Sequence, residues 1–179
     1  MTESASRMPT EQQLALIEQQ LGRKPRGLVG IAWQTGAGVP AVLQMRSLVD
    51  DQPFPTLYWL SSKDLYQAIA EIETGGEVKR IEQEIETDAE LREQHLGDQQ
   101  RYVKLRWEYM AEEDRQRIEE LGFTDLYNSY GIGGIRHWDK VRCLHMQYAY
   151  HLGTLDQGGT AVGRLLDQRF QLNELEIRI

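Results

Sequence analysis

Cysteine is almost missing from this chain: Cys143 is the only one. A lone thiol cannot close an intramolecular disulfide, so nothing in the sequence asks for an oxidising compartment. Long apolar runs are missing too. No stretch approaches the roughly 18 consecutive apolar residues that a membrane-spanning helix needs, and the opening MTESASRMPTEQQ lacks the apolar core of a secretory signal. These absences predict a soluble, cytoplasmic protein with no membrane segment. Positive charge is scarce: 20 Lys and Arg stand against 28 Asp and Glu, a net −8. That balance argues against nucleic acid as the partner of the whole chain, because phosphate neutralisation needs a cationic excess. Proline is absent after Pro55; all five (Pro9, Pro25, Pro40, Pro53, Pro55) lie in the first third. Helix interiors reject proline whereas turns and strand ends accept it. Turns and strands are therefore expected early and helices later.

The 179 residues and 40% hydrophobic content suit one globular domain. The expected boundaries are a disordered segment 1–9, a globular unit 10–170 and a tail 171–179. The acidic charge is local. Residues 71–120 hold 16 acidic and 8 basic side chains, which is the whole −8; the remainder holds 12 of each. A solvated helical face explains such a segment, and a docking face for a protein partner on helices 77–120 is the sharper alternative.

Leu14, Ile17 and Leu21 recur at helical spacing after Thr10, a residue suited to an N-cap, and Gly22 can end that helix. Residues 28–33, 39–45 and 56–60 read as strands, the first two joined by a hairpin-type QTGAG. SSKD at 61–64 starts a helix carrying Leu65, Ile69 and Ile72, stopped by Gly75-Gly76. Further helices are predicted at 77–96, 98–121, 137–152 and 160–170, with a loop between 122 and 136. The tail alternates Leu175, Ile177 and Ile179, a short strand or docked extension. The fold class that follows is α+β: about three N-terminal antiparallel strands packed against four or five helices, mostly helical after residue 62.

Chemistry concentrates in YGIGGIRHWDKVRCLHMQYAYHLG at 130–153. A metal site would draw on Cys143, His145, His151 and His137, ligands that zinc or iron accepts. On a continuous helix, however, Cys143 and His145 fall ~160° apart at ~100° per residue. The reading is therefore no metal site, unless a ligand comes from elsewhere, such as Glu71 or Glu73. His145 falls within the apolar arc of Val141, Leu144, Tyr148 and Leu152, which predicts a buried histidine, structural or with a shifted pKa. Gly131, Gly133 and Gly134 precede a helix whose free N–H groups favour an anion, with Arg136, Lys140 and Arg142 close behind. The patterns of a P-loop and of a dinucleotide-binding turn are both absent. Arg142 beside Cys143 could activate the thiol. A second cluster, PFPTLYWLSSKD at 53–64, offers Phe54, Tyr58 and Trp59 as a ligand wall, and RKPR at 23–26 supplies cations.

The run Pro53-Phe54-Pro55-Thr56-Leu57-Tyr58, the Glu73-containing IAEIETGG, the GIGGI loop, Cys143-Leu144-His145 and Val162-Gly163 occur in that order. Together they resemble the bacterial domain-of-unknown-function family 501 over about residues 20–168. The resemblance brings no mechanism. It implies that 54–58, 73 and 131–145 form a shared site, with Arg142 matching a basic residue before the CLH triplet. Where some members have a second histidine near position 150, this chain has Tyr150 followed by His151.

The expected function is a non-catalytic binding or interaction protein. Its pocket for a small anion or phosphorylated ligand would join Thr56, Glu73, Gly131, Gly133, Gly134, Arg136, Arg142 and His145. An enzyme using His145 as acid/base with Arg136 or Arg142 as clamp, and a metalloprotein using Cys143 and histidines, are the alternatives. No cofactor is named by the sequence.

Overall fold

The computed structural model describes residues 6–179. The expected disordered segment 1–9 falls partly outside that range; within it, Arg7 exchanges backbone hydrogen bonds with Ile31.

The first helix, α1 (Glu11–Leu21), starts at Thr10, whose hydroxyl accepts the Gln13 N–H while the Gln13 amide accepts from the Thr10 N–H. That reciprocal pair satisfies two donors that a helix start leaves open. Gly22 then takes the left-handed conformation that ends it. Strands β1 (Leu28–Gln34), β2 (Pro40–Met45) and β5 (Tyr58–Leu60) form an antiparallel sheet in the order β1-β2-β5. A two-residue pair, β3 (Leu48–Val49) with β4 (Gln52–Pro53), projects between them and was not foreseen. Its turn holds Asp50 and Asp51 at positive φ.

Central β2 is buried along its whole length. Leu43 and Met45 pack with Ile17 of α1 and Ile31. Val42, with Tyr58 and Leu60 of β5, joins the main core on the helical side. The hub of that core is α7 (Leu144–Gly153), with eight of its ten residues buried. A helix covered on all sides belongs at the centre of a fold. Around it lie α2 (Lys63–Thr74), α3 (Glu77–Thr87) and α4 (Ala89–Glu108), then α5 (Glu112–Glu120), α6 (Thr124–Ser129) and α8 (Ala161–Phe170).

Three expected helix boundaries move. The 77–96 helix breaks at Asp88, whose carboxylate accepts the N–H groups of Glu90 and Leu91 and starts α4. The new helix runs through Gly97, because capping at Asp88 outweighs the small helix penalty of one glycine. The 98–121 helix breaks at 109–111, and Gly122, at positive φ, ends α5. The 137–152 helix starts only at Leu144. The tail is a docked extension: the Asp64 carboxylate accepts the N–H groups of Arg178 and Ile179, and the Asp64 N–H donates back to the Ile179 carbonyl.

The acidic segment is not one solvated face. Glu77 is buried and pairs with Arg80 and Arg169, and Arg169 also reaches Glu84 at 2.6 Å. No helix among the described residues is long and apolar enough to cross a membrane.

Candidate functional site

The late start of α7 decides the geometry. Cys143 is its N-cap, in an extended conformation (φ −104°, ψ 158°), and not a helical residue. The ~160° separation expected on a continuous helix therefore does not apply. Cys143 and His145 come to the same side and meet Glu73, from the last turn of α2. The ligand-type atoms of the three residues lie within 4.8 Å of one another.

Glu73 Oε1 accepts from the Leu144 N–H at 3.1 Å and stands 2.8 Å from His145 Nδ1. The other ring nitrogen, Nε2, lies 3.2 Å from the carbonyl oxygen of Tyr66, so it must carry hydrogen to bond there. The Tyr66 ring covers the imidazole, with centroids 4.2 Å apart. His145 is nearly buried, while the Cys143 and Glu73 side chains are half-buried and reachable from solvent.

Burial pushes the Cys143 thiol up. Hydrogen bonding with His145, the nearby Met146 N–H and the charge on His145 outweigh it, and the thiol ends below its ordinary value. Burial pulls His145 down, yet Cys143, the Glu73 carboxylate and the Tyr66 carbonyl together hold it above its ordinary value. The position of Cys143 at a helix N-terminus acts in the same direction on the thiolate.

The chain from Gly131 to Val141 lacks α-helix and strand, so its backbone groups need other partners. Helices α3 and α4 supply them. Gln99 Oε1 accepts the Ile132 N–H at 2.7 Å and its amide donates to the Trp138 carbonyl at 3.3 Å. His95 Nε2–H donates to the Lys140 carbonyl at 3.1 Å, and Glu82 accepts the Val141 N–H at 3.2 Å. Burial holds His95 below its ordinary value, so it is neutral. The glycines make these contacts fit. Gly131 lies against Gln99 and Trp138. Gly133, at φ +75°, lies so close to Arg142 that a Cβ would meet its carbonyl oxygen at 2.7 Å. The glycine loop is thus the backing of Cys143.

Of the expected site residues, Glu73 and His145 are brought together, and Gly133 supports them from behind. Gly134 lies beside it at φ +70°. Arg136 and Arg142 are exposed, and Arg136 stacks on Tyr130 at 5.2 Å. Thr56 belongs elsewhere. Its neighbours Pro55 and Leu57 bond to Arg106 and Tyr102 of α4, and Tyr58 packs on Gly153. Gly153 ends α7 whereas Leu144, next to Cys143, begins it, ~14 Å away at 1.5 Å per residue. His151 is also apart: Nδ1 accepts the Thr160 N–H at 2.8 Å and Nε2–H donates to Asp167 at 3.0 Å. His137 is exposed on the loop. Tyr66, Gln99 and His95 were missed. A spacing signal existed for α4, where His95, Gln99, Tyr102 and Arg106 recur at i, i+4, i+7 and i+11 and are all buried.

No curated protein and no solved structure matches the chain. From Ile31 to Gln168 the chain nevertheless matches the family described as "Protein of unknown function (DUF501)", and it belongs to that family.

Proposed function

We propose that the protein binds a divalent transition-metal ion, zinc by the chemistry of the donors, through Glu73, Cys143 and His145, with a coordination position left for water or substrate. The observation that carries this reading is the convergence of a carboxylate, a thiol and an imidazole within 4.8 Å while the second ring nitrogen is committed to the Tyr66 carbonyl. A histidine metal ligand characteristically donates its other N–H to such a carbonyl, which fixes tautomer and ring plane. Tetrahedral zinc bonds of about 2.0–2.3 Å imply ligand atoms ~3.3–3.8 Å apart, so Glu73 Oε1 and His145 Nδ1, now 2.8 Å apart, would open by ~0.5 Å to admit the ion, while no separation in the group exceeds 4.8 Å and the widest need close by no more than ~1 Å. Three protein ligands and a free position are the arrangement in which zinc lowers the pKa of water and activates it as a nucleophile.

A metal-free thiolate–imidazolium pair, available for nucleophilic chemistry, is the second reading. The depressed thiol of Cys143 at a helix N-terminus favours it. Metal analysis separates the two. Full-length protein stripped with chelator and titrated with zinc is expected to take up one equivalent. Cobalt substitution is expected to give a thiolate-to-metal absorption band that disappears in Cys143→Ser. Failure of the stripped protein to retain stoichiometric zinc or cobalt overturns the metal reading and leaves the thiolate pair.

A further inference from the structure

The two clusters singled out at 23–26 and 53–64 in the sequence meet in space, away from the cysteine. Two cavities share Leu21, Arg23 and Trp59 as a common wall. The first, of about 390 Å3, is completed by apolar groups including Met45, Pro53 and Phe54, with Arg26 and Asp50 at its edge. The second, of about 440 Å3, has Ser61, Lys63 and Tyr66 in its lining. Phe54 and Trp59 are half-buried, with ring centroids 5.9 Å apart and planes tilted by 37°. Arg26 is paired with Asp50. Arg23 and Lys63 are exposed, and Lys63 is the first residue of α2, at the positive end of that helix.

We propose that this two-lobed groove binds a mononucleotide, with the base against Phe54 and Trp59 and the phosphate held by Arg23 and Lys63. Half-buried aromatic faces take a planar heterocycle, and an arginine and a lysine at the adjoining lobe take a phosphate. Each lobe has the volume of a small-molecule site. The molecule's net charge of −8 and the Asp50 carboxylate on the rim disfavour a longer polyanion. The proposal does not depend on the metal reading. The two sites do adjoin, since Tyr66 lines the second lobe and also covers His145.

The test is calorimetric titration of the full chain with AMP, GMP, CMP and UMP, alongside adenosine and inorganic phosphate. At least one monophosphate is expected to bind saturably, about tenfold or more tighter than either adenosine or phosphate, because charge-assisted bonds are worth about that factor. Arg23→Ala and Lys63→Ala, both on the surface and neutral for folding, are each expected to weaken it by about tenfold on the same grounds. Trp59→Phe keeps a ring and is expected to retain binding, whereas Trp59→Ala loses it. Cys143→Ser, which removes the metal ligand, is expected to bind nucleotide normally. Three results overturn the proposal. These are no binding at millimolar concentration, binding indifferent to Arg23→Ala and Lys63→Ala, and a single-stranded decanucleotide binding more tightly than any monophosphate. The last would reassign the groove to nucleic-acid strands.

Discussion

Glu73 Oε1 serves two partners at once, the Leu144 N–H at 3.1 Å and His145 Nδ1 at 2.8 Å. With Nε2 facing the Tyr66 carbonyl, both nitrogens of the ring confront oxygen acceptors. A neutral imidazole has one N–H and can satisfy one of them. The second contact requires a proton or a metal ion on Nδ1. In the metal-free protein the Glu73 carboxylate therefore helps to keep His145 charged, and Glu73→Gln is expected to lower its titration midpoint. An NMR titration of the imidazole resonances measures this. An unmoved midpoint would show that the carboxylate does not hold the proton.

Cys143 is the one cysteine in the chain, so thiol chemistry reports on it alone. Its alkylation rate against pH is expected to reach half-maximum below the ordinary thiol value, because His145 and the Met146 N–H favour the thiolate over the cost of burial. Removing the imidazole in His145→Gln is expected to move that midpoint up. The stability linkage runs with the same signs. The lowered thiol contributes stability above its ordinary value and loses it as pH falls through the folded one. The raised His145 contributes fully below ~6.5 and loses it as pH rises through its folded value. Zinc bound at the sulfur would protect it, so alkylation should slow when zinc is added to wild type and stay unchanged in Glu73→Gln if that variant no longer binds the ion.

The strands, α1 and α2 were legible because their signals are local. Thr10 caps, Ser62 caps, and glycines follow the apolar repeats. The candidate site was half legible. Glu73 and His145 could be named from motif order, but their union with Cys143 could not, because periodicity alone extended the helix back through Cys143. What stops it is non-local. Val141, Lys140 and Trp138 give their backbone groups to Glu82, His95 and Gln99, residues 39–59 positions away, and no window of sequence contains that competition. Arg106 was hidden for a similar reason. Its guanidinium is fully buried, donating to the carbonyls of Pro55, Tyr127 and Tyr130 under two tyrosine rings.

Gln99 is the residue on which the loop depends most. Gln99→Leu keeps the volume but strands the Ile132 N–H and the Trp138 carbonyl. Each buried group left unsatisfied costs about 1–3 kcal/mol, and each kcal/mol lowers Tm by about 2–4 °C in a domain of this size. The Ile132 amide should also exchange with solvent faster. Gly133→Ala is expected to act through the other side of the loop, forcing a side chain into a left-handed residue against the Arg142 carbonyl. Both variants should weaken zinc binding without touching a ligand. If Gln99→Leu leaves Tm and Ile132 exchange at wild-type values, the Gln99 contacts to the loop are dispensable.

The acid side of the stability profile should belong to His95 and His151. Burial holds both below their ordinary value, so both are neutral in the fold. In His151 the neutral form is also required by bonding, since Nδ1 accepts the Thr160 N–H and a proton there would break that bond. The ring cannot shift to relieve it, because Gly159 and Gly163 lie directly against it. Between the folded values and ~6.5 the unfolded chain binds more protons than the native one, so stability falls as pH drops through that window and levels off below the folded values. His145 has the opposite sign and offsets part of this loss. Urea midpoints measured from about pH 7.5 down to about pH 5.5 should therefore fall in wild type. The fall should be smaller in His95→Gln, whose amide can still donate to the Lys140 carbonyl but takes up no proton. An acid limb of equal depth in His95→Gln and His151→Gln would place its source in groups other than these two imidazoles.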